Sequence, residues 1–214
     1  NMSSRGSRVA TRDGRSDRWT AHREDRRREL IEAVMTVVSK QGPQVGLDDI
    51  SRESGIAKPT FYRYFKDKAE LFVEVGRTVA ESVVAEITAA IDEADSPRSK
   101  LAAGIDAYLA GIESRPELYH FVLQHRDLDD YASIVGLHAT AVIGELMREA
   151  GQDSGAAELW GFGIVGLVRA AADRWLEQHT MSRAAVGRYL TDLIWPGISG
   201  GPGRAVSAQA SAAR

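Results

Sequence analysis

Apolar residues return every three or four positions along most of this chain. Leu30, Ile31, Val34, Val37 and Val38 fall on one helical face, which predicts an amphipathic helix from about Arg23 to Lys40, ended by Gly42-Pro43. Phe72, Val75, Val79, Val83, Ile87 and Ile91 form a longer stripe that stops at Asp95-Ser96-Pro97. The same spacing predicts helices at about 98–113, 117–126, 130–150, 156–178 and 182–195, the last stopped by Pro196. No run of β-branched residues is flanked by hairpin turns. The fold class is therefore all-α, with about nine helices and no internal repeat.

A chain of 214 residues suits one domain, or a small one fused to a larger. Its 43% hydrophobic and 27% charged content is that of a soluble globular protein. The absence of cysteine excludes disulfides, thiolate metal sites and a cysteine nucleophile, and suits a reducing compartment. The longest uncharged candidate for a membrane span, Leu159 to Val168, has ten residues, against roughly 20 needed. No secretory h-region opens the chain. A cytoplasmic protein without membrane contact is expected.

The net charge of −3 hides an asymmetry. Residues 1–75 carry 15 Lys+Arg against 12 Asp+Glu, and residues 76–214 carry 12 against 18. A basic front on an acidic body fits a polyanion-binding end joined to something that avoids polyanions. Nine arginines crowd the first 28 positions. Residues 1–21 are expected to be a disordered Arg-rich arm and 199–214 ("SGGPGRAVSAQASAAR") a flexible tail. Between them lie a small unit, 22–68, and a larger one, 69–198.

The small unit contains "GIAKPTFYRYFKDKAEL" (Gly55 to Leu71), which interleaves four aromatics with four cations. Before it, "LDDISRES" predicts a short helix with Leu47 and Ile50 inward. Gly55 stands where a helix end needs a left-handed residue, and Pro59 lies in the first turn of the next helix. Phe61 and Phe65, at i and i+4, share a buried face; Lys58, Thr60, Tyr62, Arg63 and Tyr64 then point outward. Helix, glycine turn, helix is the helix-turn-helix arrangement, whose second helix enters the DNA major groove. Asp67 and Glu70 read as a capping box for the next helix. Lys68 in that first turn opposes the macrodipole unless it meets a phosphate there; otherwise it is a solvated lysine.

Residues from about 24 to 80 resemble the DNA-binding domain of the tetracycline-repressor (TetR) family. Gly55, Ile56, Ala57, Phe61, Tyr62, Phe65, Lys68 and Leu71 match its pattern in register. Beyond residue 80 the likeness is one of length and helical layout. The resemblance implies that Lys58, Pro59, Thr60 and Tyr62 face the major groove, and that Tyr62, Tyr64 and Lys68 lie near phosphates. Three positions depart from it. Gly46 replaces the usual Thr cap, Asp48 stands where a basic or polar DNA contact is common, so that Arg52 takes over, and Ser51 replaces a small apolar residue. The arginines from Arg12 to Arg28 either reach an adjacent minor groove or form a free tail.

For the larger unit the resemblance implies a homodimer and an effector pocket. "LWGFGIVGLVRAAADRWL" (159–176) is apolar or small nearly all round, so a single core contact cannot cover it. Gly163, Gly166 and Ala170 with Val186, Leu190 and Leu193 are the expected dimer contacts, two helices per chain closing a four-helix bundle. Such a dimer predicts double-stranded DNA with an inverted repeat as the target. Tyr108, Tyr119, Phe121, Tyr131, His138, Met147, Trp160, Phe162 and Trp175 are the candidate pocket residues, for a fatty-acyl or aromatic effector; the same residues would also serve as an ordinary helical core. No cofactor or metal is expected: His120 and His125 are not stacked on one helix face. Gly161, Gly163 and Gly166 spell G-x-G-x-x-G, but inside a helix and without the strand that a dinucleotide site requires. Three function classes follow: a ligand-responsive homodimeric repressor, a ligand-blind or architectural DNA-binding protein, and an enzyme. The third lacks a nucleophile–base pair, a metal cluster and a phosphate loop.

Overall fold

The apolar stripes become helices in the computed structural model, which describes residues 14–125, 129–149 and 154–200. In chain order these are α1 (Gly14–Gln41), α2 (Leu47–Ser54), α3 (Lys58–Tyr64), α4 (Lys68–Asp92), α5 (Pro97–Ser114), α6 (Pro116–Gln124), α7 (Asp129–Glu149), α8 (Ala157–Gln178) and α9 (Arg183–Gly200). A 3-10 turn, Ser154–Ala156, precedes α8. Among the described residues there is no strand, and no helix is long and apolar enough to cross a membrane.

Two boundaries differ from the sequence expectation. Helix α1 begins at Gly14, so residues 14–21 of the expected arm are helical. Periodicity missed this because no residue from Trp19 to Glu29 is buried, and the apolar stripe starts at Leu30. Arginine's helix propensity and i,i+3 ion pairs, Arg26–Glu29 at 2.5 Å and Arg28–Asp25 at 3.0 Å, support that segment instead. At the other end Pro196 does not stop α9. It removes one backbone donor, and burial of Ile198 holds the following turn on the body. Residues 1–13 and 201–214 lie outside the described residues.

The helices pack around two apolar cores. The first unites Leu30, Val34 and Val38 of α1 with Leu47, Ile50, Phe61, Phe65 and the start of α4. It also takes in Leu118, Phe121 and Val122 of α6. The second joins α5, α7, α8 and α9 to Val83 of α4. Helix α4 runs through both cores, so the head (α1–α3) and the body share one rod about 37 Å long.

Candidate nucleic-acid interface and effector pocket

Two short helices carry the first candidate site, and the loop between them is tightly tied. Gly55 caps α2 at φ 70°, a left-handed conformation that a β-carbon would strain. Ser51 donates to Ile56 O at 2.7 Å, and Ser54 accepts from Ile56 N at 3.2 Å. The unusual Ser51 thus fixes the turn, a role its residue type did not reveal. The Asp49 carboxylate accepts the Gly46 N–H at 3.1 Å, the reciprocal half of a capping box, while Gly46 has no side chain to do what a threonine cap would. Asp67 accepts from Glu70 N at 2.8 Å, as a cap should, but Glu70 reaches back to Lys66 N at 2.6 Å instead of to Asp67. The Lys66 N–H first, and then Arg27, hold the Glu70 carboxyl below its ordinary pKa.

Phe61 and Phe65 are buried, as their spacing requires, although Phe65 stands just past the last turn of α3. Tyr62 is 53% exposed, and Lys58, Pro59, Arg63 and Lys68 are also exposed. Thr60 and Tyr64 are half-buried, so they are less open than their positions suggested; Tyr64 packs against the head core. Arg63 lies over the Tyr64 ring, 5.1 Å from its centroid, and Lys68 lies 4.9 Å from that of Phe72. Lys58 is ion-paired with Asp48, and Arg52 with Asp49. Two of the candidate DNA cations therefore already hold carboxylates, in exposed pairs that contribute little and exchange readily.

The second candidate site is a cavity of about 90 Å³ between α4, α5, α7 and α8. Ile87, Ile91, Leu101, Ile105, Val135, Val142, Ile143, Ile164, Val165 and Val168 make its walls almost wholly aliphatic. Tyr108 and His138 line it, as the sequence reading expected. Their polar atoms have protein partners. Tyr108 donates to the Tyr119 hydroxyl at 3.4 Å, and Tyr119 donates to Asp173 at 2.5 Å. Burial pushes Tyr108 up to about 12 and raises Tyr119 further. Thr88 donates to Val84 O at 2.8 Å, so its oxygen accepts from His138 Nε2 at 3.1 Å. Burial lowers the His138 pKa and favours the neutral ring. At one end Lys100 is paired with Glu149 at 2.7 Å.

The other expected pocket residues lie elsewhere. Phe121 belongs to the head core, edge-on to Phe72 at 4.9 Å. Tyr119 and Met147 are sealed into the body core, as is Trp175, whose Nε1 donates to Met181 O at 2.9 Å. Trp160 packs on that core from outside, and Phe162 is 41% exposed across Gly136. The side chain of Tyr131 is outside what the structure describes. Aromatic type was a poor guide here because the cavity is lined by branched aliphatics, which periodicity cannot distinguish from core.

Helix α8 crosses α7 at Gly161, where a β-carbon would come within 2.7 Å of Thr140 backbone. Gly163, Gly166 and Ala170 face outward in one exposed stripe with Leu159, Phe162 and Leu167. On α9 the exposed apolar residues are Tyr189 and Leu193. Val186 and Leu190 are 6% exposed and belong to the protomer's own core, so the expectation that they meet a partner is corrected: their face of α9 packs on α5.

Residues 30–75 match the model of bacterial regulatory proteins of the tetR family, and residues 86–210 match the tetracyclin repressor-like C-terminal domain. The chain belongs to the TetR family. It is 30% identical over 199 residues to the uncharacterized HTH-type transcriptional regulator Rv0472c of Mycobacterium tuberculosis, covering 88% of this chain and 83% of that one. It is 23% identical over 189 residues to the HTH-type transcriptional activator FasR of Mycolicibacterium smegmatis, covering 83% and 84%. The fold is shared with the transcriptional regulator FadR of Bacillus subtilis, solved in complex with stearoyl-CoA, at TM-score 0.58 and 18% identity, covering 77% of this chain and 95% of that one. This TetR-family chain is thus a DNA-binding transcriptional regulator and not an enzyme, with α2–α3 inside the matched N-terminal region and α5–α9 inside the matched C-terminal domain.

Proposed function

We propose that the protein is a homodimeric cytoplasmic repressor, released from an inverted-repeat operator by a small aliphatic effector that enters the cavity between α4, α5, α7 and α8. The observation that carries this reading is the position of α6. One face of that short helix belongs to the head core through Phe121, and Tyr119 links it to the cavity wall through Tyr108. The free cavity, at about 90 Å³, is smaller than the roughly 150 Å³ that admits benzene in an engineered protein. An acyl chain must therefore part its walls, and α4 and α6 carry that movement to the head. Effector then binds the parted state more tightly and draws the population away from the spacing that fits DNA. Aliphatic walls with satisfied polar groups favour a hydrocarbon tail over an aromatic ring, and FadR's stearoyl-CoA is a ligand of that chemistry.

The exposed stripe on α8, with Tyr189 and Leu193 on α9, supports a four-helix dimer contact. Two copies set the α3 helices about one DNA turn, 34–36 Å, apart. Selection of fragmented genomic DNA on the purified protein, at two salt concentrations and with or without a medium-chain acyl compound, tests the whole. Enrichment of an inverted repeat, lost on adding the compound, is expected. Binding without enrichment that vanishes with salt would transfer the protein to the ligand-blind class.

A further inference from the structure

Apart from Lys100 at one end, the side chains that bring polar atoms to the aliphatic cavity are those of Tyr108 and His138. The protein already engages the one proton that each can donate. Tyr119 donates its O–H to the Asp173 carboxylate at 2.5 Å, so the Tyr108 proton goes to the Tyr119 oxygen at 3.4 Å. Tyr108 can then offer a guest only a lone pair. His138 ends the same way from a different start. The Thr88 proton belongs to Val84 O, so the imidazole must supply the proton at Nε2. Burial lowers the pKa of the ring and favours its neutral form, which leaves Nδ1 as an acceptor. That nitrogen has no hydrogen bond among the described residues. His138 is half-buried where Tyr108 is buried, so its lone pair is the one within easier reach of a guest.

The Lys100 end, about 12 Å along α5 from Tyr108, does not reverse this preference. Lys100 binds Glu149 at 2.7 Å. That hydrogen bond first, and then the charges of Glu149, Glu145 and Asp92, hold its pKa above the ordinary value. Arg148 is paired with Glu145 at 3.1 Å. An entering carboxylate would have to displace Glu149 while facing two further carboxylates. Deeper in, it would meet lone pairs alone. We propose that the effector carries an uncharged hydrogen-bond donor, a hydroxyl in the simplest case, which bonds to His138 Nδ1, and that a carboxylate on the same tail is rejected. A protonated amine would also donate, but a charge among aliphatic walls costs more than one hydrogen bond returns.

This head-group preference rests on the cavity being the effector site, and one ligand series separates the two. Decanol, its isomer methyl nonyl ether and decanoate are titrated into the full-length protein above the ordinary histidine value of pH 6.5, with calorimetry giving each Kd. A merely greasy cavity takes the ether first, because its oxygen is the least costly to remove from water. Donation to His138 puts the alcohol first instead, about ten-fold tighter than the ether, with decanoate weakest. In His138→Leu the alcohol should lose that advantage while both neutral compounds still bind. Ala139→Leu, which fills the cavity, should abolish binding of all three. An ether that binds as tightly as the alcohol to wild type overturns the proposal and leaves the cavity reading standing. So does decanoate binding tightest, or an alcohol preference that survives His138→Leu. Binding that Ala139→Leu does not weaken, or no binding by any of the three, removes the cavity reading first and this one with it.

Discussion

Head and body use their aromatic residues in opposite ways. In the head, Phe61 and Phe65 are core while Tyr62 of the same turn is half exposed, so a seven-residue helix is both anchor and reading surface. In the body the aromatics Tyr119 and Trp175 are sealed in, and the opening left among the helices is aliphatic. The head is packed around two phenylalanines, whereas the body keeps an aliphatic opening of about 90 Å³ that the proposed effector would use.

The comparison is broken most severely by Phe61→Ala. Removing a fully buried aromatic costs about 3–5 kcal/mol, and the head holds few others. DNA binding should be lost while the dimer persists, as read by gel shift and sedimentation. Loss of the dimer as well would show that head and body unfold as one unit.

Next comes Tyr119→Phe, which leaves the half-buried Asp173 without its hydroxyl partner and should cost about 1.5–3 kcal/mol in urea unfolding. Burial of Tyr108 and Tyr119 gives the body a pH response opposite to that of the head's carboxylates. Tyr108 and Tyr119 are raised above their ordinary value of 10.0, so their contribution is full below pH 10 and is lost as pH climbs, for Tyr108 through about 12. In the head, the Gly46 N–H and then Arg52 lower Asp49, and the Lys66 N–H and then Arg27 lower Glu70. Their contribution is full above the ordinary values of 3.8 and 4.5 and is lost as pH falls through the lowered ones. Hydrogen exchange should therefore rise first in α2–α4 under acid and first in α5–α8 under alkali. Simultaneous opening at both extremes would erase the distinction.

These contrasts also explain what could be read from the chain alone. The head was legible nearly residue by residue, because Gly55, Phe61, Phe65 and Asp67 each answer a local backbone or spacing demand. The body gave its helices but not its cavity. Whether Ile105 or Val142 lines a void or fills one depends on how three other helices approach, and that has no local signature. The α9 assignment failed likewise for Val186 and Leu190 but not for the exposed Leu193: all three are apolar at helical spacing, and only the packing of α5 decides which face is covered.

Ala139→Leu is a gentler probe, since it fills the cavity from α7. Stability should change by no more than about 1–3 kcal/mol, DNA affinity should hold, and release by effector should disappear. Retained release would move the effector site elsewhere. The smallest effect belongs to Asp48→Asn, which frees Lys58 and removes an exposed carboxylate beside the proposed DNA-reading helix. Operator affinity should improve a few-fold with the melting temperature unchanged, because an exposed pair adds little to stability.

The sharing of α6 bears on how such regulators can be recombined. Leu118, Phe121 and Val122 complete the head core from more than forty residues beyond the end of α3. A chimera that exchanges only the N-terminal segment would join two mismatched halves of one hydrophobic interior. Transplanting DNA specificity therefore calls for the foreign head together with its own α6 face, or for grafting the exposed residues of α3 alone.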